Sequence, residues 1–221
     1  MTKKQRAAAA VERLEKKYPD AVCSLKYTSA FQLLIATRLS AQCTDARVNI
    51  VTPALFKKYP DSAAMAKAKL CDVEELIKSC GLYKTKAKDL IGIAKGIEEN
   101  FGGKVPDSIE ELTTLPGVGR KTANLVCGDI YGQDAVVTDT HFIRIMNRLG
   151  LVSTSVPFAV EKQMRNILPT GKMSDFCHRT VLHGRDTCTA RRAFCEKCIL
   201  NDVCLKKGIN KDGTKKNSRN S

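Results

Sequence analysis

Four cysteines within seventeen residues, Cys188, Cys195, Cys198 and Cys204, constrain this chain more than any other feature. Their spacings are six, two and five residues, in a segment with few other apolar anchors. Soft thiolates gathered so closely imply a metal centre around which the segment folds. Structural zinc held by four cysteines usually shows two short-spaced pairs, and here only one pair is short. A single compact loop of four thiolates suits a cubane iron–sulfur cluster better, with zinc and free thiols as the alternatives. Arg185, Arg191, Arg192 and Lys197 surround the loop in sequence, placed to offset thiolate charge or to meet phosphates. The other six cysteines are scattered and read as small core residues.

A second feature lies upstream. Residues 115–126 read Leu-Pro-Gly-Val-Gly-Arg-Lys-Thr-Ala-Asn-Leu-Val. Pro116 fixes φ, and two glycines permit tight backbone angles and leave amide groups bare. Val105-Pro106-Asp107-Ser108 reads as a helix start, with Ile109 and Leu112 as its apolar face. Ala123, Val126, Cys127 and Ile130 recur at helical spacing after the glycines. The stretch is therefore a helix, a glycine hairpin and a helix, and a helix N-terminus fronted by bare amides is an anion site. Lys121 stands in the first turn of the second helix, beside Arg120 and at the positive end of the dipole. That place suits either a phosphate contact or a nucleophilic amine. A plain helix-to-helix turn is the bland alternative.

Charge narrows the partner. Formal net charge is +14, of which the last seventeen residues account for +5 and the body for +9. A basic body points to a polyanion, and nucleic acid is the best candidate. The basic residues are dispersed, which disfavours a membrane surface. No Trp and only 5% aromatic residues leave little to stack single strands on, so duplex DNA is the expected partner. No run of about 20 apolar residues is present for a membrane span. The N-terminus lacks a signal-peptide core, so an intracellular, cytoplasmic and nucleoid-associated protein is expected, and with it reduced cysteines.

Apolar patterning and start signals give helices over 4–18, over 29–39 (apolar on most faces, so buried), from Thr44-Asp45 onward, from Pro60, over 70–79, 84–101, 139–149, 156–168 and 173–186, besides the hairpin pair. No segment makes a strand pair. The expected fold class is all-α, with about ten helices. Residues 206–221 have almost nothing to bury and read as a disordered basic tail.

Taken together, the glycine hairpin with Lys121, Asp139 about one helix later, and the cysteine loop resemble the endonuclease III family. Leu-Ser-Ala-Gln at 39–42 with Thr44-Asp45, Gly81-Leu82-Tyr83, Leu-Pro-Gly-Val-Gly-Arg-Lys-Thr-Ala at 115–123 and Asp-Thr-His at 139–141 fall in the family order. The similarity runs from about residue 5 to 205.

The resemblance implies a two-lobed helix-hairpin-helix glycosylase. Its six-helix lobe would span 22–134, and its cluster lobe would combine 1–21 with 135–205 around a [4Fe–4S] cluster. It implies a monomer that removes oxidised pyrimidines from double-stranded DNA and cleaves abasic sites, with DNA in the cleft between the lobes. Lys121 would be the nucleophile that forms a Schiff base, and Asp139 the carboxylate that stabilises positive charge on the sugar. Gln42 and Leu82 would enter the duplex, Gly117, Val118 and Gly119 would hold a phosphate, and His141 would touch the backbone or the site. Cys188, Cys195, Cys198 and Cys204 would ligate the cluster.

Departures are small: Thr138 stands where an apolar residue is usual, Cys43 where alanine is usual, and the basic tail is extra. A monofunctional relative is the runner-up, expected to lack the lysine and to carry a further C-terminal domain. A non-enzymatic iron–sulfur DNA-binding protein is the other alternative. Read from residue pattern alone, Asp139 is a helix cap, Gln42 a polar turn residue and Leu82 a core leucine.

Overall fold

A computed structural model describes residues 1–216. The five residues beyond, the end of the expected tail, lie outside the described residues. The fold is all-α, with eleven α-helices and one 3-10 turn among the described residues. The chain divides into two compact units. One is Cys23–Tyr131, and the other joins Met1–Val22 to the chain from Gly132 onward.

The first unit holds α2 (Ala30–Ser40), α3 (Asp45–Lys58), α4 (Ser62–Ala66), α5 (Leu70–Ile77), α6 (Tyr83–Phe101), α7 (Ile109–Leu112) and α8 (Arg120–Tyr131). Helix α2 begins where the Ser29 hydroxyl accepts from the Gln32 amide, and it buries Leu33, Leu34, Ile35, Ala36 and Leu39 completely. A helix apolar on most sides belongs in the middle of a core, and α2 packs on α3, α6 and α8. Pro53 lies inside α3, which continues through it to Lys58. Lys86 on α6 has no exposed surface; its ammonium donates to the Leu39 carbonyl at 2.8 Å. That bond ties α6 to the end of α2.

The second unit holds α1 (Lys3–Lys17), α9 (Thr140–Leu149), α10 (Pro157–Arg165) and α11 (Met173–Asp186). Helix α1 has a full capping box, with Thr2 and Gln5 satisfying each other's backbone amides. Its buried stripe, Ala7, Ala10, Val11 and Leu14, explains why the first helix joins the C-terminal half of the chain. Arg6 Nε donates to the Val203 carbonyl at 3.0 Å, Arg13 pairs with Asp202, and Glu15 pairs with Lys172 at 2.7 Å. Phe142 of α9 meets Phe176 of α11 edge to face, centroids 6.0 Å apart.

The expected disordered tail is corrected over residues 206–216. Arg192 bridges to Thr214 and Ile209 to Lys215, and the Ala193 amide donates to the Gly213 carbonyl at 2.8 Å. Ile209 is buried. One buried isoleucine and a set of backbone bonds fold a stretch whose composition shows almost no apolar anchor.

Candidate active site and metal centre

The hairpin sits where the sequence places it. The Val118 amide donates to the Leu115 carbonyl at 3.2 Å and closes the turn, and the Gly119 carbonyl accepts from Ala123 to start α8. Gly117 has φ +71, and a Cβ there would lie 2.6 Å from Arg38 Nε and 2.8 Å from Asp89. Arg38 Nε in turn donates to Asp89 at 2.9 Å, an ion pair joining α2 and α6 beneath the turn. Gly119 opens to free space. Two glycines of α6 let the hairpin approach: a Cβ on Gly92 would come within 2.7 Å of Pro116, and one on Gly96 within 2.7 Å of Leu115.

Of the three amides expected to cradle an anion, that of Val118 is already committed to the turn, and its side chain is buried. Gly117 and Gly119 are exposed and, among the described residues, donate to no carbonyl. Lys121 is exposed in the first turn of α8, while Arg120 beside it approaches Glu110 at 3.9 Å.

Gln42 and Leu82 meet in the same unit. A Cβ on Gly81 would touch the Gln42 carbonyl at 3.4 Å, so the two turns pack backbone to backbone. Both residues hold left-handed angles, φ 54 and φ 59; Lys206 is the other non-glycine residue with positive φ among those described. Each such residue costs about 1–2 kcal/mol, and clustered strain of this kind points to function. Leu82 is 60% exposed and so is not the core leucine its sequence pattern gives.

In the second unit Asp139 caps α9, its carboxylate accepting from the Phe142 amide at 2.6 Å. The cap reading of Asp139 therefore holds beside any chemical role. His141 packs on α11, where a Cβ on Gly184 would come within 2.7 Å of its Nδ1, and it lies 3.2 Å from an Arg144 nitrogen. Burial lowers its pKa, with Arg144 and Arg185 adding to the effect against Asp139, so the imidazole is held neutral.

All four clustered cysteines line one cavity with Ile145, Leu149, Phe194, Leu200 and Ile209. Burial and the neighbouring thiols push Cys198 up to about 11, and burial raises Cys204. Bare thiolates are thus disfavoured here, and a cationic group must compensate them. Among the described residues no three His, Cys, Asp or Glu side chains close on a point that would hold one metal ion. Four thiols lining one cavity together with several apolar side chains are a donor set that suits an iron–sulfur cluster.

A basic side chain that touches one of the thiols comes from outside the flanking residues named from sequence. Arg148 of α9, buried, donates to Cys188 Sγ at 3.2 Å and to the Thr189 carbonyl at 2.7 Å. Arg144 donates to the Cys188 carbonyl at 2.9 Å. His183 of α11 lies with its Nε2 3.5 Å from Cys198 Sγ, and burial drives its pKa to about 4. Forty residues separate Arg148 from Cys188, so only the folded chain reveals the contact.

The match to known proteins follows this geometry. Residues 35–170 match the HhH-GPD superfamily of base excision DNA repair proteins. An endonuclease III from a Synechocystis species is 47% identical over 204 residues, covering 92% of this chain and 93% of the relative. The chain belongs to the endonuclease III family. Membership makes it a base-excision DNA glycosylase with an abasic-site lyase activity. A solved non-covalent endonuclease III–DNA complex superimposes with a TM-score of 0.86 at 39% identity, covering 93% of this chain and 96% of that one. A trapped covalent endonuclease III–DNA intermediate, with an estranged adenine, superimposes at 0.84 with 38% identity, covering 93% and 97%.

Proposed function

We propose that the chain releases oxidised pyrimidines from duplex DNA and then cuts the strand through a Schiff base on Lys121. The observation that carries this reading is the placement of Lys121, exposed at the first turn of α8 directly behind the Gly117 and Gly119 amides. Those amides and the α8 N-terminus bind one backbone phosphate, which fixes register without reading sequence. The Val118 amide holds the turn. With the phosphate anchored, the lysine amine reaches the adjoining sugar.

The reaction needs the damaged nucleotide outside the stack. Leu82, exposed on a strained turn, serves as the apolar wedge, and Gln42 on the packed neighbouring turn offers its amide to the orphaned base. Lys121 attacks C1′, and the base departs with a proton. The sugar ring opens as the imine forms. Loss of a C2′ proton then expels the 3′ phosphate. The Asp139 carboxylate, at the start of α9, stabilises the positive charge that develops on the sugar. His141, neutral and packed on α11, lies two residues past Asp139.

Cys188, Cys195, Cys198 and Cys204 hold a [4Fe–4S] cluster, with Arg148 and Arg144 balancing its charge and fixing the loop. The cluster supplies a structural centre for the segment 187–204. The partner is double-stranded DNA bearing damaged bases or abasic sites, bound by a monomer inside the cell.

Base release and strand cleavage, measured separately on a thymine-glycol duplex, test the assignment. Lys121→Gln is expected to abolish both on this substrate. A Lys121→Gln protein that still cleaves the strand would contradict it.

A further inference from the structure

Six of the ten cysteines lie away from the cluster cavity, and two of those come together. Cys43 closes a turn with its amide on the Ser40 carbonyl at 3.0 Å, and Cys80 closes another on the Ile77 carbonyl at 2.8 Å. The turns touch one residue away, where Gly81 faces the Gln42 carbonyl. The packed turns bring the Cys80 thiol beside that of Cys43, with Lys86 near both. Cys80 is buried, whereas Cys43 is half-exposed. Each cysteine adjoins a strained residue, Gln42 directly and Leu82 across one glycine.

We propose that Cys43 and Cys80 form a thiol–disulfide exchange site for low-molecular-weight disulfides, and that its oxidised form ties the Gln42 turn to the Leu82 turn. Cys43 is reached first. Its thiolate attacks one sulfur of the small disulfide, forming a mixed disulfide and releasing one small thiol. The Cys80 thiolate then attacks the Cys43 sulfur and expels the second small thiol. Two electrons pass from the protein thiols to the small disulfide, and the two protons leave on the released thiols. Lys86, anchored to the Leu39 carbonyl, lies near Cys80 and favours its thiolate in the closing step.

Burial opposes that charge and pushes the Cys80 thiol up to about 11. The closing step is therefore slow at neutral pH and quickens about tenfold per pH unit. The consequence for DNA rests on the proposed roles of Gln42 and Leu82. A cross-link that fixes the two turns to each other restricts how the Gln42 and Leu82 side chains enter a duplex, and affinity for a lesion falls.

The test uses the cluster-loaded protein in a Cys71→Ser background, since Cys71 is exposed and would be capped on its own. After treatment with oxidised glutathione, a non-reducing digest should contain a linked Cys43–Cys80 peptide pair lighter by two hydrogens. Cys43→Ala should lack it, and Cys80→Ala should stop with glutathione on Cys43. Affinity for a duplex carrying a tetrahydrofuran abasic analogue should fall by at least about fivefold and return with dithiothreitol. Cys43→Ala should respond to neither reagent.

Absence of the linked pair even at alkaline pH would overturn the proposal. So would a linked protein whose affinity is unchanged. A reduced protein with no affinity for the abasic duplex would contradict the proposed function instead, while the peptide map would still decide the thiol pair.

Discussion

Asp139 carries two duties that one substitution separates. Its carboxylate caps α9 through the Phe142 amide, and asparagine caps a helix about as well as aspartate. Asp139→Asn should therefore keep the melting temperature near wild type while turnover falls by about 10²–10⁴. Asp139→Ala should lose turnover and, in addition, about 1 kcal/mol of stability, read from thermal unfolding. Full activity in Asp139→Asn would reduce the residue to a cap. Leu82 divides in a similar way. Its side chain is largely exposed, so Leu82→Ala should leave stability within about 0.5 kcal/mol. Base release from duplex DNA should drop, and the drop should be smaller on a lesion opposite a mismatch, which extrudes more easily. Sequence pattern makes Leu82 a core leucine; its left-handed φ and its exposure are properties of the folded turn. Lys86 shows the reverse. Only the packing of α6 against the end of α2 buries that lysine on the Leu39 carbonyl.

The hairpin depends on the helix beneath it. Gly92→Ala would drive a methyl group into Pro116, and overpacking of this kind costs about 1–3 kcal/mol. The expected result is a lower melting temperature together with weaker binding to undamaged duplex. Gly119→Ala makes the contrasting case. Free space surrounds that position, so stability should hold while the added methyl group keeps phosphate from the amide. Binding measured across a salt series should then show a smaller slope for Gly119→Ala. An unchanged slope would remove Gly119 from the phosphate contact. Helices were the most legible elements because their apolar positions recur at helical spacing, as in α6 and α9. The hairpin was legible because proline and two glycines have few other uses in such a row. That the Val118 amide is spent inside the turn follows from a hydrogen bond that no residue pattern encodes.

At the scale of the whole chain, the proposed cluster site and the terminal segments stand or fall together. Helix α1 reaches the cysteine loop through Arg6 and Arg13, and Ile209 of the last described segment lines the cysteine cavity. Metal analysis should find iron and sulfide in equal amounts and no zinc. Stripping the iron should open both 187–204 and α1 to limited proteolysis, because buried thiols without a compensating cluster do not hold the loop. A truncation after Lys216 should keep the cluster, whereas one after Leu205 should lose it faster in air, since it takes Ile209 from the cavity wall. The spacing of the cysteines exposed the centre at once. Arg144, Arg148 and His183, its actual neighbours, come from helices far away in sequence and carry no local signature. The fold of 206–216 was hidden for a related reason: backbone bonds to Arg192 and Ala193 hold it, and composition does not record them.

The central claim is that Lys121 forms a covalent bond to the sugar, and borohydride reduction of the working complex tests it most directly. Wild type and Lys121→Gln are incubated with a duplex containing one thymine glycol and reduced during turnover. A cross-linked protein–DNA species in the wild type that is missing in Lys121→Gln, with the modified peptide mapping to residues 120–131, is the predicted result. An equal cross-link in both proteins, or base release by the wild type with no cross-link at all, would contradict it.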